Sequence, residues 1–290
     1  YTQYWQQKIE YKINVDFNNI NHQYNGVQNI TYTNNSPETL KKVFFHLYFN
    51  AFKPGSEMAI RQNHSADKNT RFKIDLDSLK QKQQGFLNVY NLKQNGKIVK
   101  VVNSETILEV ELADPLSPGE TTELSMEFVG QVPDLIRRAG KNSRDGIEYS
   151  MAQWYPKMAE YDAEGWNADP YTGREFHGVW GNFDVKIKIS KDYTIAASGY
   201  LQNADKIGKG YSVRKKPKSK RGKVEWHFIA PNVHDFTWSA DKNYVHDIYP
   251  GPNGVTLHFF YKNNPKIIEN WKKLQPLTAK MMEYFNTNVG

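Results

Sequence analysis

The side chains best suited to metal or proton chemistry are eight histidines: His22, His46, His64, His177, His227, His234, His246 and His258. No two stand three or four residues apart, so no helix can turn a pair of imidazoles toward one metal ion. The zinc signature H-E-x-x-H is missing, as are the nucleophile elbow G-x-S-x-G and the phosphate loops G-x-x-x-x-G-K-[ST] and G-x-G-x-x-G. His234-Asp235 and His246-Asp247 have the composition of catalytic dyads. On an extended strand, however, adjacent side chains point to opposite faces, so neither pair is expected to hydrogen-bond. The chain contains no cysteine, which removes disulfides, thiol nucleophiles and cysteine-based zinc sites.

Two stretches concentrate other chemistry. From Tyr149 to Val185, Trp154, Tyr155, Tyr161, Trp166, Tyr171, Phe176, Trp180 and Phe183 are interleaved with Glu160, Asp162, Glu164, Asp169 and Glu175. Pro156, Gly165, Pro170, Gly173, Gly178 and Gly181 argue against a long helix there. So much aromatic area must pack or form a patch, which leaves a plug over a sheet or the lining of a cleft. Asp162, Glu164, Asn167 and Asp169 offer oxygen ligands for calcium, but not at EF-hand spacing, and they read as a solvated loop rim rather than a calcium site. His177 reads as a structural histidine. In the second stretch, 214–223, seven of ten residues are basic. It has no aromatic for base stacking and reads as a solvated hairpin tip rather than a phosphate grip.

The elements that must carry these residues are mostly strands. Ile9, Tyr11, Ile13, Val15 and Phe17 alternate with Glu10, Lys12, Asn14 and Asp16, a half-buried strand. Phe183, Val185, Ile187 and Ile189 repeat the pattern. Further strands are expected over 26–33, 41–50, 85–92, 97–102, 105–112 and 121–129, with turns at Asn34–Pro37, Asn95-Gly96 and Pro115–Gly119. Residues 52–84 read as a polar excursion, and 210–216 with 223–230 as a hairpin. One helix is expected, capped by Asn264 and opened by Pro265. Its apolar stripe runs through Trp271, Leu274, Met281 and Phe285, with Pro276 kinking or splitting it; Met281 and Met282 read as core filler. At 290 residues the chain is long enough to bury a core, and its net charge of +7 suits anionic surfaces only if clustered. No apolar run reaches the length of a membrane span. The fold class is therefore all-β up to about residue 250, with a helix opening a second unit.

At Ser150–Asp162 (S-M-A-Q-W-Y-P-K-M-A-E-Y-D), followed by G-W-N, E-F-H and G-N-F-D-V, the chain resembles the N-terminal domain of the zinc aminopeptidases. These are the gluzincins of membrane alanyl aminopeptidase and leukotriene hydrolase, and the bacterial branch is nearest. Tyr11–Phe17, Gly26, Tyr32–Pro37 with Leu40, His46–Asn50, Trp226–Phe228 and Asn232–Trp238 extend the resemblance in order along the chain.

The resemblance implies a saddle-like, mostly antiparallel β domain over 1–250 and, over 251–290, the beginning of a thermolysin-like catalytic domain. The family's zinc ligands, general base and Gly-x-Met-Glu-Asn strand are absent from this sequence. It therefore implies no metal site, no cofactor and no catalytic residue on this chain, and zinc in a longer parent that acts on peptides. The chain alone is expected to be inactive. By the same resemblance Gln153, just before Trp154-Tyr155-Pro156-Lys157, is the candidate for contacting the substrate's amino-terminal residue, since an amide oxygen can accept from an ammonium. Gln153 is expected to be accessible, and residues 149–182 ordered. The partners implied are a peptide substrate and the chain's own catalytic domain, with no nucleic acid and no membrane span. The start at Tyr1 suggests an exported bacterial protein with its signal removed. The competing reading is a free-standing β-sandwich module that binds peptide or glycan on an aromatic platform.

Overall fold

A computed structural model describes residues 4–64, 74–136, 138–173, 177–212 and 222–289. In chain order its strands begin with β1 (Lys8–Asn18), β2 (Gln23–Thr33), β3 (Leu40–His46), β4 (Phe86–Gln94), β5 (Lys97–Ile98), β6 (Lys100–Ser104), β7 (Ile107–Leu116) and β8 (Thr121–Gln131). Short strands follow: β9 (Gly140–Lys141), β10 (Tyr149–Met151), β11 (Lys157–Met158), β12 (Tyr161–Asp162) and β13 (Gly165–Trp166). The series closes with β14 (Gly181–Ser190), β15 (Thr194–Ala197), β16 (Tyr200–Leu201), β17 (Lys223–Val233), β18 (Trp238–Asp241), β19 (Tyr244–Pro250) and β20 (Thr256–Lys262). The helices are α1 (Glu57–His64), α2 (Ala204–Ile207) and α3 (Pro265–Asn288).

The largest sheet has eight strands in the order β16-β17-β14-β1-β2-β8-β4-β5. The period-two pattern places it: Ile9, Tyr11, Ile13, Val15 and Phe17 are all buried, as are Phe183, Val185, Ile187 and Ile189 on the neighbouring strand. β1 and β14 run parallel, the exception in a sheet that is otherwise antiparallel. Their register sets Tyr11 beside Phe183, with rings stacked at 4.5 Å. Smaller sheets of order β15-β18-β10-β9 and β11-β3-β7-β6 contribute Tyr149, Trp238, Val43, Phe45 and Val110 to one shared core. The result is the expected sandwich-like, mostly antiparallel β fold.

Two glycines let rings lie flat across strands. Gly26 pairs with Phe128 and Gly130 with Tyr24. A Cβ on either glycine would stand 2.1 Å from the facing ring, so only glycine admits this packing.

Several expectations are corrected. The polar excursion contains α1, whose Met58 and Ala59 are buried, so a helix does enter the β domain before residue 250. Amphipathy over eight residues was too short a signal to read there. Residues 41–50 are not one strand: β3 ends at His46 and Tyr48–Ala51 form a 3-10 turn, all buried. Residues 210–212 form turns rather than one arm of a hairpin, and the rest of that arm and most of the basic tip lie outside the described residues. Lys223 of the basic run is bonded to Asp16. The long helix α3 runs unsplit through Pro276. Its stripe is not core: Leu274, Leu277, Met281 and Phe285 are exposed.

Candidate functional site: the anchored loop at residues 149–182

Over its described residues, 149–173 and 177–182, the aromatic loop is packed; Glu175 and Phe176 lie outside the described residues. Trp154 and Tyr155 are fully buried, Tyr161 and Tyr171 nearly so, and Trp180 is exposed. A platform of coplanar exposed rings, which the free-standing module required, is therefore not formed by Trp154, Tyr155, Tyr161 or Tyr171. The loop is a plug whose backbone is held by side chains from the large sheet. The Tyr24 hydroxyl donates to the Trp154 carbonyl, Gln28 Nε2 donates to the Pro156 carbonyl at 2.8 Å, and the Met158 N–H donates to the Tyr11 hydroxyl at 3.1 Å. These bonds satisfy the carbonyls of Trp154 and Pro156, which lie outside regular structure, and the N–H of Met158 in the short strand β11.

The segment 234–236 holds the other side. Trp154 Nε1 donates to the Phe236 carbonyl at 3.0 Å, and the Tyr155 hydroxyl to Asp235 Oδ1 at 2.6 Å. Lys157 Nζ donates to the His234 carbonyl at 2.9 Å and lies 3.6 Å from the Asp235 carboxylate. Burial pulls the Lys157 ammonium below its ordinary pKa, and Asp235 opposes that shift. His234 and Asp235 lie in the bend between β17 and β18 rather than on a strand, and still point apart: the His234 ring meets that of Trp180, and Asp235 turns inward to Tyr155.

Gln153 sits at the entry to this plug with a left-handed backbone, φ 60°. It is 2 % exposed, which corrects the expectation that it is accessible. The turn between Met151 and the buried Trp154 carries it inward with the rings. Neither its amide nitrogen nor its amide oxygen has a hydrogen-bond partner within the protein. An unpaired buried amide is costly, so Gln153 is not a stabilising bolt of the loop.

Among the described carboxylates of the loop, Asp162 is tied to the loop itself. Asp162 Oδ1 accepts from the Glu164 N–H at 2.8 Å, Oδ2 accepts from Asn167 Nδ2 at 2.9 Å, and His177 lies 3.4 Å away. Burial alone would raise the Asp162 pKa; the Glu164, Asn167 and His177 contacts outweigh it and hold it below the usual value. Glu160 is instead raised, by burial, with His177 pulling the other way. Asp162 and Asn167 brace the β12–β13 turn, and Glu164 and Asp169 face solvent. Among the described residues no three of the metal-binding types gather around one point. The donor set of a zinc site is thus not assembled by these residues, and no reaction step is assigned to a metal on this chain.

One pairing escaped the sequence reading. His246 Nε2 and His258 Nδ1 stand 2.8 Å apart on β19 and β20. The signal was the hairpin register about the Pro250–Gly254 turn, which sets His246 opposite Phe260 and thus diagonal to His258. Asp247 points the other way and accepts from the Tyr261 hydroxyl and the Gln275 amide.

No family profile matches the chain, and no curated protein matches it in sequence. Among solved structures, a mutant M1 zinc metallopeptidase from Deinococcus radiodurans bound to a Tyr-Ser-Ala substrate is similar. The identity is 15 % and the TM-score 0.50, over 93 % of this chain and 52 % of that one. An M1 zinc metallopeptidase from the same organism gives 15 % and 0.49, over 89 % and 47 %. The chain spans about half the length of these relatives. No described helix is long and apolar enough to cross a membrane. The chain has the fold of the N-terminal part of the M1 zinc metallopeptidases.

Proposed function

We propose that this chain is the non-catalytic N-terminal domain of a zinc metallo-aminopeptidase and that it shapes the cleft receiving the peptide's amino terminus. The observation that supports this most is the meeting of two stretches on which the family resemblance rests. Trp154–Lys157 is bolted to His234–Phe236 by four polar contacts, within a fold matched over 93 % of its length. In this reading residues 251–290 open the catalytic domain, and the zinc belongs to that domain. Zinc would there polarise the scissile carbonyl and lower the pKa of a bound water.

Gln153 is the proposed contact to the substrate's amino-terminal residue. Its amide is committed to no protein partner, so turning it outward breaks no hydrogen bond, and its oxygen could then accept from the substrate's ammonium. The test compares the 290-residue chain with a version extended through a downstream H-E-x-x-H. The short chain should bind no stoichiometric zinc and release no residue from aminoacyl reporters; the extended one should do both. In the extended enzyme Gln153→Ala should cost about 1.5–3 kcal/mol in kcat/KM, the loss of one bond to a charged group, with zinc retained. Chelator-sensitive turnover by the short chain would overturn the reading.

A further inference from the structure

The outer face of the eight-stranded sheet bears a trough of about 470 Å³, within the range of ligand sites. Strand register builds it. Lys186 on β14 stands beside Asn14 on β1, Asn14 beside Val27 on β2, Val27 beside Glu127 on β8, and Glu127 beside Tyr90 on β4. These residues alternate with the buried set of their strands, so they share the solvent face. At strand spacing the row runs about 19 Å from Lys186 to Tyr90. A second row, Lys188, Asp16 and Asn25, lies two residues along and lines the same trough.

The row joins apolar platforms to uncommitted polar groups. Tyr90 is 49 % exposed and Val27 46 %; they stand two strands apart, about 10 Å. Among the described residues, the Asn14 and Asn25 amides and the half-buried Lys186 ammonium have no hydrogen-bond or ion-pair partner. Their neighbours are committed: Lys188 lies 3.5 Å from Asp16, which Lys223 also binds, and Glu127 accepts from Asn91 Nδ2 at 3.2 Å. Both signs are mixed across the trough, Lys186 and Lys188 against Asp16, Glu127 and Glu225, so no uniform field draws a polyanion. β14, β1, β2 and β8 are interior strands, whose ladders leave no free edge for an added peptide strand. What the face offers is a line of amide, ammonium and carboxylate groups that donate and accept, beside an exposed ring. Its complement is a ligand rich in hydroxyls that also has apolar ring faces.

We propose that this trough binds a neutral, linear oligosaccharide laid across the strands. One sugar ring stacks its C–H face on Tyr90, and another rests on Val27. The Asn14 and Asn25 amides donate to and accept from its hydroxyls, and Lys186 donates at the far end. Tyr11, Tyr24 and Gln28, which hold the 149–182 loop, project from the opposite face of the same sheet. The inference stands apart from the metallopeptidase reading, because binding is read on the 290-residue chain without catalysis.

The probes are cellohexaose, xylohexaose, chitohexaose and maltohexaose, each titrated into the chain by calorimetry. Saturable binding of at least one, at millimolar sugar or below, is expected. Tyr90→Ala should weaken it about tenfold, whereas Tyr90→Phe, which keeps the ring, should not. Asn14→Ala and Lys186→Met should each weaken it about fivefold. Added salt should change it by less than about twofold, as a neutral ligand requires. The three positions lie on the solvent face, so urea midpoints of the variants should match that of the parent. No saturation by any of the four sugars, or equal binding by the parent and Tyr90→Ala, would overturn the proposal. So would a steep loss with salt, which would assign the trough to a charged ligand. A dimer that Tyr90→Ala dissolves would overturn it too, by assigning the face to a second copy of this chain.

Discussion

Tyr155 and Asp235, 80 residues apart in the chain, share a 2.6 Å hydrogen bond between phenol and carboxylate. The same carboxylate faces the buried Lys157 ammonium. Removing either partner of that ion pair has unequal consequences. Asp235→Ala leaves a cation that is 3 % exposed with one carbonyl for company, and should cost about 3–5 kcal/mol. Lys157→Met keeps the volume and leaves Asp235 bonded to Tyr155, so its cost should be smaller. Urea midpoints of the two variants check the order; equal losses would mean that the pair acts only through packing.

His46 makes stability depend on acid. Burial, with Lys157 adding to it, holds its pKa at about 4, against the Asn167 carbonyl that accepts from Nε2. The unfolded imidazole takes its proton near pH 6.5, whereas the folded one resists until about pH 4. The contribution is therefore complete above pH 6.5, falls as pH drops toward 4, and is level below that. Its size is about 3 kcal/mol. Equilibrium unfolding at pH 7 and pH 4 should show His46→Gln losing about that much less than the parent protein.

Gly130→Ala should strike a distant site. The new Cβ would lie 2.1 Å from the Tyr24 ring, and the Tyr24 hydroxyl is bonded to the Trp154 carbonyl. We expect a loss of about 1–3 kcal/mol from overpacking, together with faster proteolysis of the 149–182 loop. Tryptophan fluorescence and limited digestion report both.

Gln153→Met separates structure from function. The substitution keeps the left-handed backbone demand and roughly the volume, but removes an amide that has no partner. Stability should hold or rise by about 1 kcal/mol, measured by urea unfolding. A clear fall would assign the amide a structural bond.

The large sheet was legible because its strands are half-buried. Alternation at Ile9–Phe17 and Phe183–Ile189 states both the strand and its buried face. Partner strands were not legible: nothing local in β1 says that it pairs with β14 as well as β2. The 149–182 loop could be read as ordered from its aromatic load, yet its depth could not. Gln153 illustrates why, since its burial is set by Trp154 and by sheet residues far away in sequence. The His246–His258 contact was hidden because no short spacing encodes a cross-strand diagonal.

The parallel pairing of Ile9 with Gly181 has a consequence for synthesis. β1 lies in the middle of the finished eight-stranded sheet, but the strand that covers its far edge is made much later. Translation proceeds at roughly 5–20 residues per second, so the edge opposite β2 stays open on the ribosome for on the order of ten seconds. During that interval a nascent chain that has already paired β1, β2 and β8 offers a ready template for another nascent chain on the same message. The charged outward residues of β1, Lys8, Glu10, Lys12 and Asp16, lie along that temporary edge.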